Sequence, residues 1–107
     1  MDEKDINRLL MQFDHLLRQA NREQINPVIE ELAIDDLKPI IDLVARSRAS
    51  YLKQLYELSK QYSESESLPS SDELKRLKAY RNRFLDLADG AKSIEICIQR
   101  GYLDLKN

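Results

Sequence analysis

One cysteine, one histidine, two glycines, three prolines and no tryptophan leave many chemistries without their raw material. With Cys97 alone, an intrachain disulfide is excluded, and so are the four Cys or His ligands of a structural zinc site and the three of a catalytic one. A nucleophile and its base have only Cys97 and His15 to draw on, and these lie in different segments. The plainer reading makes His15 a boundary residue beside an apolar stripe and Cys97 a small core residue among Ile94, Ile96 and Ile98. There is no glycine-rich phosphate loop, and the acidic pairs Glu30-Glu31, Asp35-Asp36, Glu64-Glu66 and Asp72-Glu73 lack the spacing and central glycine of an EF-hand. No cofactor, metal or small-molecule substrate is expected, and no enzymatic activity.

The scarcity of glycine and proline also bears on fold, because a many-stranded sheet needs frequent sharp turns and long uninterrupted segments favour helices. No apolar run approaches membrane-spanning length. The opening MDEKDINRLL is acidic and amphipathic where a secretory signal is basic and then continuously apolar, so a cytoplasmic address is expected.

What is present suits one folded domain: 107 residues, 42% of them hydrophobic and 34% charged. The formal net charge of -2 provides no global attraction to nucleic acid or anionic lipid. Ile6, Leu9, Leu10, Phe13, Leu16, Leu17 and Ala20 recur at three- and four-residue steps and predict a helix from Asp2 to about Arg22. Asn26-Pro27, a good cap before a proline, predicts a short second helix carrying Val28, Ile29, Leu32 and Ala33. A third helix is expected from near Leu37, capped by Asp35 or Asp36 with Pro39 in its first turn, and running to about Tyr62. Its apolar set is wider than one stripe, so two neighbours are expected.

Ser63 to Ser71 reads as a loop, and Ser70 with Glu73 fits a capping box that opens the last helix. There Leu77, Tyr80, Phe84, Leu87, Ala91, Ile94 and Ile98 form a seam of alternating three- and four-residue steps that ends at Gly101. Gly90 inside it predicts a close helix contact or a break. Tyr102-Leu103-Asp104-Leu105 is expected to fold back. The whole reads as an all-α compact antiparallel bundle of three long helices plus one short helix, one domain over residues 1–107.

Two surfaces stand out as candidates for function. Lys75, Arg76, Lys78, Arg81 and Arg83 follow one another without an intervening acid and suit phosphates, although flanking acids and an (i, i+4) pair of Asp72 with Arg76 equally describe a solvated face. Tyr51, Leu52, Leu55, Tyr56 and Tyr62 lie on or near the wide face of the third helix and suit a protein partner. The expected function is a non-enzymatic helical interaction module that binds a protein partner or itself as a homodimer, through part of the third helix with the first. The alternative is a nucleic-acid-binding regulator using the basic residues of the last helix.

Overall fold

The computed structural model describes residues 2–29 and 31–106. Its elements are α1 (Glu3–Ile25), β1 (Glu31–Leu32), α2 (Ile34–Gln61), α3 (Ser71–Gln99) and β2 (Asp104–Leu105), so the protein is predominantly helical. The chain divides into two compact units, Met1–Asp36 with Ile94–Asn107, and Leu37–Ser93.

In the first unit the Asp2 carboxylate caps α1 by accepting the Asp5 amide at 2.9 Å, and Glu3 and Asp5 place negative charge at the positive end of the helix. The short second helix does not form. After Asn26 the chain makes a single turn, with the Val28 and Ile29 amides donating to the Ile25 carbonyl at 3.0 and 3.3 Å. It then extends as β1, parallel to β2, with Glu31 opposite Asp104 and Leu32 opposite Leu105. So brief a segment gains too few helical hydrogen bonds to offset nucleation, whereas pairing with the C-terminal tail buries Leu32. Asn26 is not a helix N-cap; its side-chain oxygen accepts the Asp104 amide at 3.3 Å.

The end of α3 is a Schellman turn. The Tyr102 amide donates to the Cys97 carbonyl at 2.9 Å and the Gly101 amide to Ile98 at 3.2 Å, with Gly101 at φ 73°, a left-handed conformation that glycine adopts without steric cost. That reversal turns Tyr102 and Leu103 inward, where with Leu32 they form the buried core of the unit. Arg22 ties α1 to the tail, its guanidinium donating to the Gly101 carbonyl at 2.9 Å and to the Asp104 carboxylate at 2.7 Å.

The helix α2 begins at Ile34, ahead of the expected Leu37, because the Asp36 carboxylate reaches back to the Ala33 amide at 2.8 Å. Pro39 therefore falls in the second turn, where its missing amide removes one helical hydrogen bond. In the second unit α2 and α3 pack as an antiparallel hairpin. Tyr51 stacks on Phe84 with ring centroids 6.3 Å apart, Arg48 sits 4.9 Å over the same ring, and the Tyr62 hydroxyl donates to Glu73 near the loop. The seam of α3 is half-buried throughout its length in this unit. Gly90 marks neither a contact nor a break: α3 is continuous there, and an added Cβ would meet nothing within 4 Å. The expected compact bundle of three long helices and a short one is thus corrected to three helices, of which α2 and α3 form a hairpin, with a parallel strand pair in place of the short helix.

Candidate interaction surfaces

Among the described residues no side chain of α1, α2 or α3 is buried, so the apolar periodicity of each helix finds at most partial cover. The extreme case is α1. Ile6, Leu9, Leu10, Phe13, Leu16 and Leu17 fall on one stripe and are between 39% and 65% exposed. Contiguous exposed apolar surface of this kind marks an interaction site far more often than scattered exposed leucines do. At about 100° per residue, Glu3, Asp5, Asp14 and Glu23 line the two edges of the stripe, and Lys4, Arg8 and Arg22 lie on the opposite side of the helix. Asp14 is engaged by Arg18 at 2.9 Å and Arg100 at 3.9 Å. The stripe is apolar with an acidic rim.

A second uncovered stripe runs along α2, made by Ile41, Leu52, Leu55 and Tyr56. Its rim is basic. Arg48 lies within it, Lys53 and Lys60 along its edge, and the Lys60 ammonium rests 4.8 Å over the Tyr56 ring. The edge acid Asp42 is held by Arg46 at 2.9 Å. The tyrosine-rich set anticipated from sequence is therefore divided: Leu52, Leu55 and Tyr56 face outward, whereas Tyr51 and Tyr62 are half-buried against α3. Within its unit α2 meets one neighbour, α3, and the remainder of its wide apolar face is open.

Where α3 begins, the Glu73 carboxylate accepts the Ser70 amide at 3.0 Å and the Ser70 hydroxyl accepts the Glu73 amide at 3.1 Å, a complete capping box. The hydrogen bond from Tyr62 holds the Glu73 carboxyl below the usual range, and the same bond raises the Tyr62 phenol. Asp104 is likewise lowered, chiefly by its bond to Arg22.

Lys75, Arg76, Lys78, Arg81 and Arg83 are all exposed, yet the helical step of about 100° distributes them around more than half the circumference of α3. Arg83 lies 5.2 Å over the Tyr80 ring, and Arg76 lines a 150 Å³ cleft with Gln54, Glu57, Leu58, Gln61, Glu73 and Leu77. That cleft is smaller than the roughly 300–1,000 Å³ of small-molecule sites. His15 is exposed on α1 and Cys97 half-buried on α3, and no hydrogen bond joins them. Among the described residues no three His, Cys, Asp or Glu side chains gather as a metal site; Glu30, one of the acids considered above, lies outside those residues. None of the described helices is long and apolar enough to cross a membrane. Comparison with protein-family models, curated proteins and solved structures finds no match to this chain.

Proposed function

We propose that this protein is a non-enzymatic helical interaction module whose working parts are the uncovered apolar stripes of its helices. The observation that carries this reading is α1, a well-capped amphipathic helix of 23 residues that displays its large apolar side chains to water. An amphipathic helix presenting anchors at i, i+3, i+4 and i+7 is the complement of a hydrophobic groove or of another such helix.

The experiment compares the tagged chain with a Leu10→Gln/Phe13→Gln/Leu16→Gln variant in size-exclusion chromatography with light scattering and in affinity capture. The wild-type chain is expected to associate, with itself or with another protein, and the variant is expected to do neither while keeping its helical circular dichroism. Identical behaviour of the two proteins in both assays overturns the reading.

A further inference from the structure

We infer that the occupant of both stripes is a second copy of this chain, with α1 of one protomer lying antiparallel on the outer face of α2 of the other, twice over in a two-fold dimer. This rests on the interaction-module reading and names the partner.

Charge selects the occupant. Two α1 stripes laid on each other would bring together rims that carry Glu3, Asp5 and Glu23 and no basic residue, and like-charge juxtaposition disfavours that pairing in either orientation. Anionic lipid is disfavoured for the same reason. The open stripe of α2 carries the opposite rim, Arg48, Lys53 and Lys60, on a helix whose exposed apolar side chains match those of α1 in type.

Length and direction agree as well. At about 1.5 Å per residue the stripe from Ile6 to Leu17 covers roughly 17 Å and that from Ile41 to Tyr56 roughly 22 Å, so one lies within the other. Antiparallel placement sets Glu3, on the matching edge of α1, beside Lys53 and Lys60, in the manner in which flanking charges fix orientation in paired helices. It also sets the positive end of one helix dipole beside the negative end of the other. A two-fold axis makes each contact twice, which doubles the apolar surface removed from water without asking anything new of the sequence.

The test is a charge-reversal exchange read by sedimentation equilibrium. One variant carries Glu3→Lys, the other Lys53→Glu and Lys60→Glu; Arg48 is left alone because it packs on Phe84. Each variant alone opposes like charges at both contacts and is expected to weaken self-association at least tenfold. An equimolar mixture restores opposite charges at both contacts and is expected to recover the wild-type dimer as a heterodimer. Circular dichroism of each variant establishes that it is folded.

Three outcomes overturn the dimer. They are a wild-type chain that stays monomeric across the micromolar range, variants that dimerise like wild type, and a mixture that fails to recover. If the wild type is monomeric but capture of another protein is lost with the Leu10, Phe13 and Leu16 substitutions, the dimer falls and the interaction-module reading stands. If neither self-association nor capture responds, both fall.

Discussion

Replacing Leu10, Phe13 and Leu16 together by glutamine separates two roles that a row of apolar residues can play. The three side chains are 60%, 65% and 62% exposed, so most of each has not been removed from water within its own chain. Glutamine is about as good a helix former as leucine, and exposed substitutions away from caps and cores shift folding stability by at most about 0.5 kcal/mol each. The folding free energy of the dilute chain should therefore change by at most about 1.5 kcal/mol. Full burial of such a side chain contributes about 1.5–3 kcal/mol, and the exposed share is what a partner has left to cover. That share comes to about 1–2 kcal/mol per residue and roughly 3–6 kcal/mol for the three, a loss of association of about a hundredfold to ten-thousandfold. Urea titration followed by circular dichroism at low protein concentration measures the first quantity and sedimentation the second. A variant that loses as much folding stability as association would show that the stripe is the chain's own core, and the argument for a docking surface would fail.

Other expectations follow from single positions. Gly101→Ala forces a Cβ into a left-handed conformation and should cost about 1–2 kcal/mol, whereas Gly90→Ala, in open space on a continuous helix, should stabilise by about 0.5–1 kcal/mol; thermal melts with shifts of the same sign would contradict the assignment. Leu103→Ala removes a buried side chain and should cost about 2–5 kcal/mol, measured by urea unfolding. Glu73 and Asp104 titrate lower in the folded chain than in the unfolded, so their contribution is full above the ordinary carboxylate range and is lost as pH falls through the lowered folded values. Tyr62 is raised, so its contribution holds below the ordinary phenol value and is lost as pH rises through the higher folded one. Tyr62→Phe should therefore flatten the alkaline fall in the urea midpoint and reduce the acid fall; unchanged profiles would show that the Tyr62–Glu73 bond does not form in solution.

Features set by neighbours along the chain were legible without coordinates. The reciprocal bonds of Ser70 and Glu73 are specified within four residues, and the reversal at Gly101 follows from the one residue type that takes its backbone angle freely. The half-buried seam of α3 also follows from its period. The strand pair was not legible, because Leu32 finds its partner in the C-terminal tail and a two-residue strand carries no pattern of its own. Asn26 illustrates the same limit: Asn-Pro is a sound local signal for a helix start, and a bond from the distant Asp104 amide overrides it. In the candidate surface, Tyr51 and Leu52 are adjacent in sequence but differ by about 100° around the helix, so one meets Phe84 and the other faces water. Periodicity reveals that a helix has an apolar face; it does not reveal whether that face is covered.

The uncovered faces bear on stability as well as recognition. Among the described residues the buried apolar side chains are Leu32, Tyr102 and Leu103, so much of the apolar surface of the helices is left for a partner to cover. If the stripes are covered by a second copy, association and folding are linked, and the melting temperature must rise with protein concentration. For a folded dimer in equilibrium with unfolded monomers, a tenfold increase in concentration adds about 1.4 kcal/mol per dimer, or about 0.7 kcal/mol per protomer. With about 4–8 °C per kcal/mol for a domain of this length, the expected rise is about 3–6 °C per decade. Calorimetry at two concentrations a hundredfold apart would resolve such a shift. A melting temperature independent of concentration, in a chain still associated at both, would mean that the covering of α1 and α2 is not what holds the protomers folded.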